Sequence, residues 1–397
     1  MFDDFGKRSD YGSIEDMMVM TAEGVRPPER LTVSQAAVKY RKLYNPGSYV
    51  GPWKHDKTPY LVELMDTFDN TDFVEQVFVG PARTGKSDAT LNWIGKTVIC
   101  DPADMMIIHM TQASARDWSQ RDLARLFRHS PDVGKRLLPG RQNDNVHDKK
   151  FKSGMDLIIK WPTITELSGK TIPRVALPDY DRMPQDIDGE GPPFDLAAKR
   201  TESFKRFGKT YAESSPGFDI TDPKWQPSTH RPHEAPPTLG ILSLYNRGDR
   251  RRWQWRCLNP NCRKAFEADF EHFNYPDPAD HMEASEMVTV TCPHCTFDHL
   301  PEMKFELNGK GKWIREGMLW LPDGSVTGTP IRSKMASFWL KGPSAAFQSW
   351  QSIVYNYLKA KEDCEKTGDE GPLRKTTNTD QGHPYLPKAM QATRSTE

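Results

Sequence analysis

No run of apolar residues in this 397-residue sequence approaches the roughly 18 to 20 that a membrane helix needs, which excludes a bilayer-spanning helix from the expected elements. The N-terminus, Met1 to Asp10, lacks the basic-then-apolar order of a secretory signal, so a cytoplasmic protein with no membrane partner is expected. Neither charge sign is in excess. Lysine plus arginine and aspartate plus glutamate stand at 54 each, so bulk charge neither supports nor excludes a nucleic-acid partner. Cysteine is scarce at six, four of them in two close pairs, which argues against a disulfide framework and for metal ligands in a reducing compartment. Cys100 and Cys364 stand apart and read as buried or incidental thiols. There are no internal repeats and no low-complexity tract beyond a proline-rich stretch, Pro223 to Pro237, which reads as a linker or surface loop.

The remaining composition, 36% hydrophobic and 27% charged, is ordinary, and the length suits two domains or one large domain with an appended module. Residues 1 to 45 are polar, with a helix expected from Thr32 to Leu43 after the Arg26-Pro27-Pro28 break. An amphipathic stretch follows at Tyr60 to Thr67. Next come a strand over Val74 to Val79, a glycine loop, a helix from Lys86 to Ile99 and a strand over Met105 to Met110. Gln112 to His129 carries apolar residues at helical spacing, and Leu157 to Lys160 and Arg174 to Leu177 are short apolar strands. Strands alternating with helices imply an α/β fold with a doubly wound, mainly parallel sheet.

Gly80-Pro81-Ala82-Arg83-Thr84-Gly85-Lys86-Ser87 meets the G-x-x-x-x-G-K-[S/T] spacing at every position, after an expected strand and opening an expected helix. In such a P-loop the backbone N–H groups converge on the β-phosphate of ATP, Lys86 neutralises β and γ oxygens, and the Ser87 hydroxyl ligates Mg2+. Arg83 is unusual, since these positions are commonly small; its guanidinium either reaches the γ-phosphate in the transition state or is solvated or paired with a neighbouring acid. A second string, Ser168-Gly169-Lys170-Thr171, lacks the first glycine and runs into Ile172-Pro173, so it reads as a turn.

Hydrolysis also needs a carboxylate at an adjacent strand end for the magnesium shell and another to orient water. The strand Val175-Ala176-Leu177-Pro178 runs into Asp179-Tyr180-Asp181-Arg182, where the usual adjacent Asp-Glu pair is absent. Spacing puts Asp179 on the metal side and leaves Asp181 or Glu190 for the water; the bland alternative is a solvated acidic turn. Cys257-x4-Cys262 and Cys292-x2-Cys295 suit a tetrahedral structural Zn2+ site, whose four thiolates leave no open position for catalysis. Before them, five arginines interleave with Trp253 and Trp255 over Arg247 to Arg256. Alternating tryptophans favour a half-buried strand over a nucleic-acid grip.

Together these residues resemble the lambda-like, gpA-type family of phage terminase large subunits, from roughly Ser48 to Pro384. The blocks are Thr58-Pro59-Tyr60, Lys86-Ser87 with Leu91-Asn92-Trp93-Ile94-Gly95, Asp101-Pro102, Asp181-Arg182-Met183-Pro184 running into Asp188-Gly189-Glu190-Gly191, Ser214-Ser215-Pro216, the cysteine knuckles, Gly311-Lys312-Trp313, and Asn378-Thr379-x-x-Gly382. Their order carries the resemblance. It implies a P-loop ATPase with a zinc-ribbon-like module that drives double-stranded DNA through a portal into a procapsid in the host cytoplasm. Such a motor works with a small subunit and as a homo-oligomeric ring. Ser214-Ser215-Pro216 occupies the place of the family's coupling motif. Aligned on Asp181, Pro178 falls where the family has its metal-binding aspartate and Asp179 where it has glutamate.

The implied organisation is an arm or adaptor over 1–47, an ATPase core over 48–245, a zinc module over 246–330, and a C-terminal helix and linker over 331–397. The linker leads toward an absent nuclease domain. Asp363, Asp369, Glu370 and Asp380 lie in that polar tail, so ATPase without endonuclease activity is expected. The alternatives are a P-loop helicase or remodelling ATPase, and a nucleotide-gated DNA-binding assembly module.

Overall fold

The computed structural model describes residues 14, 18, 29–276 and 280–394. The Arg26-Pro27-Pro28 break and most of the expected N-terminal arm lie outside them. The helix expected from Thr32 to Leu43 runs over Val33–Tyr40. Thr32 and Gln35 form a capping box at its start, and the chain then turns into a hairpin of Lys42–Asn45 with Tyr49–Pro52 instead of continuing helically to Leu43.

A ten-stranded sheet organises the rest. Numbered along the chain, its strands are β1 (Glu75–Val79), β2 (Met105–Ile108), β3 (Asp148–Lys150), β4 (Asp156–Lys160), β5 (Arg174–Pro178), β6 (Lys209–Ser214), β7 (Arg251–Arg256), β8 (Ala265–Phe266), β9 (Lys312–Ile314) and β10 (Met335–Trp339). The order across the sheet is β8-β7-β10-β1-β6-β5-β2-β4-β3, with β9 paired to β7. From β7 to β4 every pairing is parallel; β3, β8 and β9 add antiparallel borders. This is the α/β, mainly parallel sheet that the alternation of elements implies.

Both faces are covered. Phe78 of β1 packs with Trp93, Ile107 and Tyr211 on one side, while Val77 and Val79 pack with Ile108, Leu177 and Trp339 on the other. Side chains on a strand alternate between faces, so strands buried on both sides read as unbroken apolar runs. The helix Lys86–Cys100 is buried along most of its length against the first face, with Trp93 stacked on Phe68 at 4.3 Å.

The expected divisions at 246 and 331 do not follow the sheet. β7 and β9 belong to it although they fall inside the expected zinc module, and β10 lies between β7 and β1 although it was assigned to a linker. All five residues of β10 are buried, and strand pairing across about 260 residues of sequence leaves no local mark. Strand β7 does bury Trp253 and Trp255, whose indole N–H groups both donate to Asn308 Oδ1 at 3.2 and 2.9 Å. Its arginines turn inward as well. Arg251 pairs with Asp249 at 2.8 Å and Glu63 at 2.6 Å, and Arg252 with Glu267 at 3.3 Å. Arg251 and Arg252 are thereby held in internal ion pairs, while Arg256, half-buried at the end of the strand, donates to the backbone carbonyls of Arg263 and Pro322.

Candidate nucleotide-binding site

Strand β1 ends at Val79, and residues 80–85 turn directly into the helix that Lys86 opens. The turn is tight because Gly85 takes φ +84 and Arg83 φ +61, a region that glycine enters freely and arginine at a cost. Both flanks anchor it. Gly80 N donates to Ser214 O at 3.1 Å, Thr84 Oγ1 donates to Pro81 O at 3.2 Å, and Tyr60 Oη donates to Thr84 O at 3.0 Å while accepting from Ala346 N at 3.1 Å. Tyr60 belongs to the Thr58-Pro59-Tyr60 block of the sequence, and its physical use is this bridge beneath the loop. Ser168–Thr171, by contrast, opens no helix and lies outside the site.

The loop borders a cavity of about 1240 Å3. Ala82 to Ser87 line one side; Asp179, Asp181, Glu213 and Ser214 to Pro216 line another. Lys86 Nζ folds back on the loop, donating to Pro81 O at 2.7 Å and Gly80 O at 3.2 Å, and reaches Ser215 Oγ at 3.5 Å. Burial lowers its pKa, opposed by the nearby Glu213 and Asp179. Arg83, Arg182 and Lys375 also line the cavity and make no ion pair among the described residues. An unbalanced cationic rim around backbone N–H groups at a helix start is suited to a polyphosphate.

The acids fall out differently from expectation. Asp179 follows β5 in a left-handed conformation, φ +53, exposed and on the cavity wall. Asp181 is occupied structurally: its Oδ2 accepts from Gly217 N at 2.8 Å and its Oδ1 from Ile241 N at 2.6 Å, the first residue of helix Ile241–Arg247. Burial pushes its pKa up to about 7 against those two hydrogen bonds. Gly240, at φ +72, leaves the room this requires, since a Cβ there would meet Asp181 Oδ1 at 2.2 Å. Glu190 is exposed in a turn and does not line the cavity. Of the three acids named from sequence, the fold brings Asp179 and Asp181 to the site and leaves Glu190 away from it.

Glu213 was missed. It is the fifth residue of β6, in register with Phe78 of β1 and Pro178 of β5, and is 1% exposed. Its Oε2 has no hydrogen-bond partner among the described residues. Burial first, then the charge of Asp179, pushes its pKa up to about 8, with Lys86 opposing. A buried carboxyl with a free oxygen facing a lysine and a second acid is costly unless something else completes it. The only signal in the sequence was its place beside Ser214-Ser215-Pro216, and that was read for the serines alone.

A second cavity, about 460 Å3, adjoins the first and shares Asp88 and Phe347 with it; Tyr49, Trp53 and Thr58 contribute to its wall. Phe347 N donates to Arg83 O at 3.2 Å, which ties this wall to the loop as well.

The Sγ atoms of Cys257, Cys262, Cys292 and Cys295 all lie within 4.8 Å of one another, with those of Cys257 and Cys295 3.6 Å apart. A tetrahedron with Zn–S bonds of about 2.3 Å has sulfurs about 3.8 Å apart, so the cluster is compatible with zinc. Both pairs end in the same kind of turn: Arg263 and Thr296, each one residue past a second cysteine, take φ +51 and +58.

The family model "Phage terminase large subunit gpA, ATPase domain" matches residues 47–313, and "Terminase large subunit gpA, endonuclease domain" matches residues 335–397. The second match runs against the expectation that 331–397 is a linker toward an absent nuclease. Among solved structures, two forms of the Thermus phage P74-26 large terminase ATPase domain are similar, one a variant, at 17% and 13% identity and TM-scores of 0.29 and 0.36. They cover 42% and 78% of this chain and 66% and 88% of theirs. The HK97 bacteriophage large terminase matches at 8% identity and a TM-score of 0.35, covering 47% of this chain and 38% of its own. No curated protein sequence matches. The chain belongs to the gpA family of phage terminase large subunits.

Proposed function

We propose that this chain is the ATPase motor of a phage terminase, hydrolysing ATP to move double-stranded DNA into a procapsid. The observation that carries the reading is the convergence of Lys86, Asp179 and Glu213 at the end of three adjacent parallel strands, under a loop built for polyphosphate. ATP would lie with its phosphates along Ala82 to Ser87 and its base toward the adjoining cavity of Tyr49, Trp53 and Phe347. Ser87 and Asp179 line one cavity and Glu213 keeps an unshared oxygen there, so these residues fit Mg2+ held beside the phosphates. When bound, the ion would neutralise phosphate charge.

Within the chain, Lys86 would exchange the carbonyls of Gly80 and Pro81 for phosphate oxygens. Glu213, raised toward neutrality, is the acid best placed to accept a proton from the attacking water once charge in the site lowers its pKa. Asp179 stands on the metal side. Asp181 holds Gly217 and Ile241, so it positions the segment that follows Ser214-Ser215-Pro216. Within that string Ser214 O accepts from Gly80 N and Ser215 Oγ lies 3.5 Å from Lys86 Nζ, which supports a role in passing phosphate state away from the site. Arg83 stands on the exposed rim, where a guanidinium is available to transition-state charge.

The four cysteines would hold a structural zinc. Family membership supports double-stranded DNA and a portal on the procapsid as partners, and the motor is proposed to work with the terminase small subunit, as a homo-oligomeric ring, in the host cytoplasm. Among the described residues no helix is long and apolar enough to cross a membrane. The test is steady-state ATP hydrolysis with and without double-stranded DNA. Lys86→Ala is expected to lower turnover by a factor on the order of 100 or more; a wild-type protein that hydrolyses no ATP under either condition refutes the reading.

A further inference from the structure

The chain beyond β10 returns to the phosphate loop. Helix Gly371–Thr376 runs into a wider turn, Thr377–Gln381, which ends at Gly382 with φ +75. This segment lies against the leading half of the loop: Ala82 N donates to Thr379 O at 2.7 Å. A Cβ on Gly382 would stand 2.9 Å from Pro81 Cδ and 3.2 Å from Pro81 N, so glycine is what permits the approach. Several side chains fix the segment from behind. Gln348 Nε2 donates to Asp380 O at 2.6 Å, Trp339 Nε1 donates to Gly382 O at 2.8 Å, and the Asp380 carboxylate accepts from Thr376 Oγ1 at 2.9 Å and Asn356 Nδ2 at 3.1 Å.

Its inner side lines the large cavity through Arg374, Lys375 and Asn378. Arg374 is held by Asp219 at 3.0 Å. Lys375 is exposed and makes no ion pair among the described residues, and Asn378 is buried with an amide oxygen that has no partner there. The Lys86 amine rests on the carbonyls of Gly80 and Pro81, immediately before Ala82, so the segment faces the end of the loop where the lysine meets the β- and γ-phosphates.

We propose that Gly371–Gln381 senses the terminal phosphate. Lys375 contacts the γ-phosphate of bound ATP, Asn378 completes the polar wall beside it, and the Ala82–Thr379 hydrogen bond carries the state of the loop into the C-terminal part of the chain. The inference rests on the cavity being a triphosphate site and adds a residue that separates ATP from ADP. It also gives the region matched by the endonuclease-domain model a direct contact with the nucleotide.

The test uses the full 397-residue protein, wild type and the variants Lys375→Ala, Lys375→Arg and Lys86→Ala, titrated with Mg2+ and either a non-hydrolysable ATP analogue or ADP. Losing one charge-assisted hydrogen bond corresponds to about a tenfold change in affinity. Lys375→Ala is therefore expected to weaken the analogue about tenfold and ADP by less than about twofold, with Lys375→Arg restoring most of the difference. Hydrogen exchange of the amides over 376–383 is expected to slow with the analogue and not with ADP. If Lys86→Ala abolishes binding but Lys375→Ala weakens both nucleotides equally or neither, the phosphate-loop reading stands and the sensor is wrong. A wild-type protein that binds neither nucleotide overturns both.

Discussion

Glu213 stands directly across from Phe78 on the neighbouring parallel strand, two residues before the phosphate loop begins. That register, with Pro178 on the other side, delivers a buried carboxyl to the one place where Lys86 and Asp179 already meet. The placement of these groups is a property of strand order more than of any single motif.

Replacing that carboxyl by its amide keeps the shape and removes the group proposed to accept the proton. Glu213→Gln is expected to lower ATP turnover by a factor on the order of 100 while leaving ATP-analogue affinity nearly unchanged, measured as kcat against KM. Asp179→Asn is expected to raise the magnesium concentration needed for half-maximal rate. Equal wild-type behaviour in both variants removes these acids from the mechanism.

The raised pKa of Glu213 also predicts a pH dependence of stability. Below the ordinary carboxyl pKa of 4.5 the folded and unfolded states are both protonated. Between there and about 8 the nucleotide-free folded protein keeps a proton that the unfolded chain has released, so stability falls as pH rises through that window. Asp181, pushed up to about 7, acts in the same sense. The melting temperature is therefore expected to decline from pH 5 to pH 8, and Glu213→Gln is expected to make the decline shallower. A slope identical to wild type contradicts the buried, protonated state.

Asp181 accepts from two backbone amides, so its loss falls mainly on the fold. Asp181→Ala leaves both donors unpaired and is expected to destabilise the protein by about 1–3 kcal/mol, read from urea unfolding. A variant with full stability and no turnover indicates instead that Asp181 touches the reacting water.

At the cysteine cluster, metal analysis of the purified protein is expected to return about one zinc per chain. Chelation or Cys292→Ser is expected to lower the melting temperature, with ATP-analogue binding surviving at temperatures where the protein stays folded. A stoichiometry well below one counts against four-thiolate ligation.

The phosphate loop and the cysteine knuckles were legible because each is a short string whose spacing is its geometry. So were most core strands: Val175 to Leu177 and Met105 to Ile108 are apolar runs bounded by turn residues. Three things were not. Glu213 looks like an ordinary strand residue until β6 is placed between β1 and β5. Asp181 has the spacing of a catalytic acid, yet Gly217 and Gly240 let two backbone amides claim it first. Lys375 and Asn378 sit in a polar, acidic stretch that reads as a linker, and only the close passage of Gly382 over Pro81 turns it into a wall of the site.

The insertion of Met335–Trp339 between β7 and β1 sets a schedule for synthesis. The phosphate-loop strand leaves the ribosome early, but one of its two neighbours follows about 260 residues later, so through most of translation β1 carries a bare flank of unpaired N–H and C=O groups. The sheet closes only after residue 339 has emerged. A fragment cut at residue 313 or 330 would keep that flank permanently, and a bare edge of this kind is open to pairing with another copy of itself.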